Sequence, residues 1–130
     1  MARAPFLREL ADNTALRQKL HRYLYVLLVQ LATASACRRF HSIGPRLARW
    51  LLMSQDRAHA DQFHVTQEFM ALMLGVRHVG VTMAASRLQT ARLIGYQRGE
   101  LSVLNRPGLE AQACSCYAAN RTVYRAHLGA

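Results

Sequence analysis

Arg77, His78 and Thr82 lie close together in the chain and carry side chains that can read the edges of DNA bases. An arginine can bind guanine through two hydrogen bonds, a histidine can bond a base edge or a phosphate, and a threonine methyl group can contact thymine. Alternatively, Arg77 makes a phosphate contact without sequence readout and His78 is a surface histidine. The chemistry that this segment suggests is recognition of nucleic acid.

These side chains need a helix that projects from the body of the protein, and the surrounding sequence predicts one. The segment TQEFMALMLGVRHVGVTMAASRLQTARLI has a helical pattern, then Gly75, then a second helical pattern. Gly75 tolerates the positive φ of a tight corner, and Ala71 is small enough for two helices to cross closely. The order is that of a helix-turn-helix. The apolar contacts expected to fix the crossing are those of Leu74, Val76, Val81 and Leu88.

Further contacts to DNA are predicted around this motif. Thr66 caps the first helix, and Thr66 and Gln67 can offer backbone N–H groups to a phosphate. Gly80 would let the second helix approach DNA closely. The segment LIGYQRGELSVL predicts a β-hairpin whose tip carries Arg98, which either reaches a phosphate or the minor groove or is a solvated turn residue.

The remaining elements follow from apolar spacing. Phe63 and Val65 alternate like a short strand, and a final helix is predicted to begin near Pro107. The side chains predicted to lie inside the two helices before the corner are Leu47, Trp50, Leu51, Met53, Phe69, Met70, Leu72 and Met73, whereas those predicted to lie outside are Arg46, Arg49 and Arg57.

The composition is that of a basic, folded chain. Lys and Arg total 17 against 7 acidic residues, a net charge of +10, and 52% of the residues are hydrophobic. The charge favours binding to nucleic acid or to an anionic surface, although a passive basic surface would have the same composition. One compact domain with an appended helix is expected.

The appended helix is predicted to begin after the capping residues Asp12 and Asn13. Its apolar residues recur with heptad spacing, which favours a symmetric partner helix in a parallel dimer over an ordinary core helix. The residues of this predicted dimerisation seam are Leu16, Leu20, Leu24, Leu27, Leu31 and Ala34.

The three cysteines, Cys37, Cys114 and Cys116, predict no metal framework, because the Cys114–Cys116 pair lacks a second ligand pair at zinc spacing. They are interpreted as reduced cytosolic thiols, with a redox-sensing role as the alternative. No cofactor is expected, and the protein is predicted to be cytoplasmic.

Neither an enzyme nor a membrane protein is predicted. No carboxylate pair, nucleophile with its base, or metal triad emerges, and there are no candidate catalytic residues. Weak metal binding by His59 and His64, which lie in a polar loop, is the one observation that would favour an enzyme. The longest uncharged run, residues 23–37, has fifteen residues, fewer than the roughly 20 needed to span a bilayer.

From about Asn13 to Leu128 the sequence resembles the C-terminal half of Crp/Fnr-family transcription regulators. The resemblance rests on LARWLL, on the helix-turn-helix segment, on YQRGELSVLNRPGLE and on the heptad helix. It implies a mainly α fold with a small β-hairpin wing, in which a long dimerisation helix precedes a winged helix-turn-helix. The implied division is residues 1–41 for the N-terminal segment and dimerisation helix, and residues 42–130 for DNA binding.

The resemblance also implies a role for three positions. Residues matching His78, Val79 and Met83 contact bases and phosphates in the best-known family members, which carry Arg, Glu and Arg there. Because this chain differs at all three, their operator sequence does not transfer, and Arg77 takes over part of the readout in this interpretation. We also expect the chain to lack the β-roll sensor domain with which family members begin.

Two hypotheses follow for function. The first is a homodimeric regulator that binds a two-fold symmetric stretch of double-stranded DNA and either blocks or recruits RNA polymerase. The second is a protein without a sensor that pairs through its heptad helix with a full-length relative and modulates it. An RNA-binding role lacks a visible platform of stacking aromatic residues.

Overall fold

The computed structural model describes residues 2–129, and within them the chain forms seven helices and three short strands. The helices are α1 (Arg3–Asp12), α2 (Thr14–Phe40), α3 (Ile43–Ala58), α4 (Gln67–Leu74), α5 (His78–Thr90), α6 (Arg106–Gln112) and α7 (Ser115–Leu128). The strands are β1 (Gln62–His64), β2 (Ile94–Gln97) and β3 (Glu100–Val103). The predicted fold class, mainly α with a small β wing, is confirmed.

The contacts divide the chain into two compact units. One unit holds the chain up to Ser35 together with the chain from Ala118, and the other runs from Ala36 to Tyr117. This division differs from the predicted boundary after residue 41, because the end of α2 and the start of α7 pack with the second unit.

The core of the second unit forms between α3, α4, α5, α6 and the sheet. Leu47 and Leu51, one turn apart on α3, are fully buried, as are Val81 of α5 and Leu101 of β3. Residues four apart lie on one face of a helix, so α3 presents a continuous apolar stripe to its neighbours. This core holds the two helices of the predicted motif in place.

Two arginines of α3 lie inside the protein, and the prediction that they lie outside is wrong. Arg46 and Arg49 are buried. The Arg46 guanidinium donates to the carbonyl oxygen of Leu74, the last residue of α4, and Arg49 Nη1 donates to Met53 Sδ over 3.4 Å. Arg46 thereby satisfies one of the carbonyl groups that have no partner at a helix end.

The buried face of α4 also differs from the prediction. Met70, as predicted, is fully buried, but Phe69, Leu72 and Met73 are exposed by 48%, 75% and 53%. The core face of α4 is formed instead by Met70, Ala71 and Leu74. An eight-residue helix in which nearly every side chain is apolar gives periodicity too little contrast to identify its inner face.

The three strands form one antiparallel sheet in the order β1-β3-β2. The β2–β3 hairpin pairs Gln97 with Glu100, and its two loop residues, Arg98 and Gly99, have φ of 51° and 80°. Positive φ at both positions is the type I′ geometry that matches the twist of a hairpin. The predicted hairpin is confirmed, and the short strand predicted near Phe63 pairs on the other side of β3.

The final helix is divided in two, whereas one helix was predicted. Pro107 lies in the first turn of α6, as expected. The backbone then becomes extended at Ala113, with ψ of 151°, and the N–H of Cys114 approaches the carbonyl oxygen of Pro45 at 3.4 Å. A tertiary hydrogen bond therefore replaces a helical one at this point, which the local sequence could not reveal.

Arg106, at the start of α6, connects three helices of the second unit. It donates to Gln55 Oε1 (2.7 Å), to the Tyr117 hydroxyl (2.5 Å) and to Glu110 Oε1 (3.0 Å), and pairs with Asp56 Oδ1 at 2.9 Å. The Tyr117 hydroxyl in turn donates to Asp56 Oδ2 over 2.7 Å. We refer to these five residues as the Arg106 network.

In the first unit, α2 begins where the sequence predicts. Asn13 interrupts the chain after α1, and its side-chain oxygen accepts a hydrogen bond of 3.0 Å from the N–H of Leu16. The helix α1 before it was not predicted, and it buries no side chain. The Tyr25 ring packs edge-on against His127, with 4.7 Å between ring centres.

No single helix among residues 2–129 is both long and apolar enough to cross a membrane. Taken together, α4 and α5 reach that length and composition, but the pair is bent by 108°.

Candidate nucleic-acid interface

The corner between α4 and α5 has the geometry of a helix-turn-helix. The two helices meet at 108°, within the range of about 90–120° typical of the motif. Gly75 forms the turn with φ of 67°, and a Cβ atom there would collide with the guanidinium of Arg38. Both the predicted glycine and the predicted small residue Ala71, which is buried, are confirmed in their structural roles.

The helix α5 has one buried face and one exposed face. Val81, Ala84, Ala85 and Leu88 are buried against the core, whereas Val79 and Met83 on the opposite side are exposed by 62% and 54%. We define the recognition face as the exposed residues Arg77, His78, Val79, Met83 and Ser86.

Arg77 lies at the N-terminal cap position of α5. Its backbone is extended, with ψ of 150°, and its side chain forms no capping hydrogen bond. Its carbonyl oxygen accepts from the N–H of Gly80 over 3.0 Å and so belongs to the first turn. The guanidinium is therefore carried at the end of the helix that enters the major groove in helix-turn-helix proteins.

The side chains of Thr82 and Gln67 are hydrogen-bonded to each other, which limits the contacts that either side chain can make to DNA. The Thr82 hydroxyl lies 2.7 Å from Gln67 Oε1, 3.1 Å from the carbonyl oxygen of His78 and 3.5 Å from His78 Nδ1. Its single hydrogen serves one acceptor at a time. The contact of the Thr82 methyl group with thymine stays a prediction.

The backbone of Gln67 influences the Tyr96 hydroxyl of the wing strand β2, and the predicted contact of the Gln67 N–H with a phosphate stays a prediction. Burial raises the pKa of the Tyr96 hydroxyl, and a hydrogen bond from the backbone of Gln67 acts in the opposite direction. The same hydroxyl donates to the carbonyl oxygen of Val65 over 2.7 Å. Gln67 is therefore a link between the wing strand β2, α4 and α5.

Thr66 caps α4, as predicted. Its Oγ1 accepts a hydrogen bond of 3.1 Å from the N–H of Phe69. The first turn also carries Glu68, whose carboxylate favours the helix N-terminus but repels a phosphate there. A phosphate contact by Thr66 stays a prediction.

Gly80 has a packing role that the sequence did not predict, and its close approach to DNA stays a prediction. A Cβ atom at this position would lie 2.8 Å from Cδ1 of Ile43, so the missing side chain is directed toward α3. The close approach that glycine permits is between two helices of the same domain. We therefore attribute Gly80 to packing between α3 and α5.

Arg98 occupies the tip of the wing and is exposed. The base of the turn is held by His64 Nδ1 and Glu100 Oε1, which lie 3.0 Å apart. A charged residue at an exposed tip is well placed to reach a backbone phosphate, as predicted. Its contact with DNA stays a prediction.

Two exposed residues farther along α5 were missed by the sequence reasoning. Ser86 and Arg87 are exposed and follow Val79 and Met83 by seven and four positions, spacings that share a helix face. Extending the pattern by one turn would have found them. Arg87 adds a positive charge beside the recognition face.

The cysteines are not scattered as their sequence positions suggested. Cys37, His41, Cys114 and Cys116 place their donor atoms within 4.8 Å of one another. Cys37 and His41 form the second ligand pair. The spacing of the cysteines did not reveal this pair because it precedes Cys114 by more than seventy residues. Their own spacing, four residues on a predicted helix, was the available signal.

The thiols of this cluster are not activated nucleophiles. Burial raises the pKa of Cys37 to about 12, and the hydrogen bond with Cys114 acts in the same direction. Burial also raises the pKa of Cys116. Because thiolates rather than thiols react with oxidants, this environment does not favour the redox-sensing alternative.

The profile of the Crp-like helix-turn-helix domain matches residues 45–112, from the start of α3 to the end of α6. The chain belongs to the Crp-like helix-turn-helix family. The matched region includes most of α3, the α4–α5 corner and the wing. It also includes four residues of the Arg106 network, namely Gln55, Asp56, Arg106 and Glu110.

A solved structure shares the fold of this Crp-like chain. It comes from Eubacterium rectale ATCC 33656 and is described as a transcriptional regulator of the Crp/Fnr family. The superposition has a TM-score of 0.63 at 18% sequence identity, and covers 80% of this chain and 48% of the other. The Crp-like chain thus spans about half the length of that protein. The comparison with curated proteins gave no match.

Proposed function

We propose that this Crp-like protein is a sequence-specific transcription regulator that binds a two-fold symmetric DNA operator as a homodimer. The observation that carries the proposal is the exposed recognition face of α5, held by a buried opposite face at 108° to α4. A helix presented in this way fits the major groove of B-DNA. Family and fold support the more general role of DNA-binding regulator.

Binding combines two contributions with different physical origins. The excess of 17 basic over 7 acidic residues supplies contacts to phosphates, which release counterions and do not depend on sequence. The recognition face supplies contacts to base edges, which determine sequence preference. Arg77 is the residue best suited to the second contribution, because its guanidinium can bind guanine through two hydrogen bonds.

The exposed apolar face of α2 supports a homodimer. Leu24, Leu27 and Leu31 of the heptad seam are exposed by 51%, 37% and 59%. Pairing two copies through this seam would bury them and bring two recognition faces to half-sites about 34 Å apart. We infer that the dimer acts by occupancy of its operator in the cytoplasm, blocking or recruiting RNA polymerase, and carries no enzymatic activity.

The test is selection of bound duplexes from a random DNA pool, comparing the wild-type protein with Arg77→Ala at one salt concentration. The wild type is expected to select an inverted repeat. Arg77→Ala is expected to relax one base pair in each half-site and to weaken binding by about 1–3 kcal/mol per half-site, because a bidentate guanine contact is lost.

Arg8→Ala is the matched control, since Arg8 lies on the exposed helix α1 and its loss changes the net charge equally. The control should leave the selected sequence unchanged. If the wild type enriches no sequence, and affinity depends only on salt, the proposal of sequence-specific binding is wrong.

A further inference from the structure

Four side chains that commonly bind metals meet in the second unit, apart from the recognition face. Cys37 Sγ lies 3.4 Å from Cys114 Sγ and 3.4 Å from His41 Nδ1, and Cys116 Sγ lies 3.6 Å from the same His41 nitrogen. All four donor atoms fall within 4.8 Å of one another. The cluster thus surrounds a single point with three sulfurs and one nitrogen.

These separations match the edges of a tetrahedron around one zinc ion. With Zn–S bonds of about 2.3 Å and a Zn–N bond of about 2.0–2.1 Å, tetrahedral geometry puts sulfurs roughly 3.8 Å apart and sulfur and nitrogen roughly 3.6 Å apart. The sulfur–nitrogen distances of 3.4 and 3.6 Å agree closely, and the sulfur–sulfur distance of 3.4 Å requires only a small expansion.

We propose that Cys37, His41, Cys114 and Cys116 bind one Zn²⁺ ion in a closed tetrahedral site. Three thiolates and an imidazole are a donor set typical of structural zinc, and soft sulfur ligands disfavour Mg²⁺ and Ca²⁺. Four protein ligands leave no open position for a reacting water. The role of the ion is therefore structural.

The local fold explains why the four ligands converge. Cys37 and His41 are four residues apart at the C-terminal end of α2, where the His41 N–H still donates to the Cys37 carbonyl oxygen over 3.0 Å, so both side chains lie on one face. Cys114 lies in the break between α6 and α7, and Cys116 follows in the first turn of α7. The bend at Ala113 is what turns this second pair toward the first.

A disulfide between Cys37 and Cys114 is the competing use of the same atoms. A disulfide would use only two of the sulfurs and would not explain why His41 and Cys116 lie beside them. The structure instead directs Nδ1 of His41 at Cys37 and at Cys116, over 3.4 and 3.6 Å. An imidazole nitrogen close to two sulfurs fits a shared metal ion and has no role in a disulfide.

The charge around the cluster also suits zinc. Three thiolates and Zn²⁺ together carry one negative charge, which must be balanced in a buried place. Arg49 is buried, its Nε finds no hydrogen-bond acceptor among the described residues, and its positive charge acts on both Cys37 and Cys116. The occupied site would supply the anion that this arginine lacks.

The test uses the full chain, purified under reducing conditions from cells grown with zinc, with metal content measured by mass spectrometry. We expect one zinc per chain. Replacement by Co²⁺ should give thiolate-to-cobalt charge-transfer bands and the strong visible bands of tetrahedral cobalt. Removal of zinc by a chelator should lower the thermal unfolding midpoint, because a ligand bound only by the folded state stabilises it.

The variants Cys114→Ser and His41→Ala should lose the metal, whereas His21→Ala, a change at an exposed histidine of α2, should retain it. The zinc content and cobalt spectrum of the wild type do not depend on how the variants fold. A wild type without zinc and without the cobalt bands would overturn the proposal, as would a Cys37–Cys114 disulfide in the reduced preparation. Retention of zinc by His41→Ala would exclude the four-ligand site.

Discussion

The double variant Leu24→Glu/Leu31→Glu is expected to be a monomer that no longer binds its operator tightly. Each leucine is half exposed in the single chain and is expected to be buried in the dimer. Burying a fully exposed leucine contributes about 1.5–3 kcal/mol, so burying the exposed half of four leucines in two chains contributes roughly 3–6 kcal/mol. Glutamate removes this contribution and adds charges that repel across the seam.

The effect on DNA binding follows from the loss of linked half-sites. A dimer gains an avidity of about 10²–10⁴ over a single recognition helix, and a monomer forfeits it. Sedimentation equilibrium should give the chain mass of 14.7 kDa for the variant and twice that mass for the wild type. Fluorescence anisotropy with an inverted repeat measures the accompanying loss of affinity.

The matched control is Gln18→Glu/Ala32→Glu, which adds the same charge at two exposed positions of α2 on the side opposite the seam. It should remain dimeric. If the wild type is itself monomeric at every concentration tested, the homodimer is wrong, and a seam for a partner of different sequence, such as a full-length relative, becomes the better explanation.

The second large effect is expected at Arg106, where substitution by Leu should lower the free energy of unfolding by about 1–3 kcal/mol. The Arg106 side chain is 29% exposed and forms hydrogen bonds or ion pairs with four other side chains. Its removal leaves the carboxylate of Asp56 and the side-chain oxygen of Gln55 without their cation. A hydrophobic residue of similar length cannot satisfy either group.

Urea denaturation followed by circular dichroism measures this loss. Arg106→Lys should recover only part of it, because an ammonium group lacks the planar fork that reaches several acceptors. The control is Arg57→Leu, because Arg57 is exposed and follows Asp56 directly in the chain. This substitution should change the free energy of unfolding by less than about 0.5 kcal/mol. Equal losses for Arg57→Leu and Arg106→Leu would contradict the role of the network.

The helix-turn-helix could be predicted from the sequence because its requirements are local. Gly75 needs only a positive φ, Ala71 needs only to be small, and the hairpin needs only glycine after Arg98. Each requirement concerns a few neighbouring residues, and the structure meets all three. Features of this kind are read directly from residue type and spacing.

Other features depend on contacts between distant parts of the chain and could not be predicted in this way. Burial of Arg46 depends on the carbonyl group at the end of α4, and the break at Ala113 coincides with a bond to Pro45. The sequence analysis assigned Gly80 a close approach to DNA, because the sequence does not show that Ile43 packs beside it. The convergence of His41 with Cys114 has the same origin, since the fold alone brings them together.

The bonds that join Val65, Tyr96, Gln67 and Thr82 have a consequence for the thermodynamics of binding. They run from the wing strand through the start of α4 to the middle of α5, so wing and recognition helix are positioned as one preorganised surface before DNA arrives. Rigid surfaces lose little conformational entropy on association. The protein would then adapt little to a poorly matching sequence, and the DNA would have to deform instead.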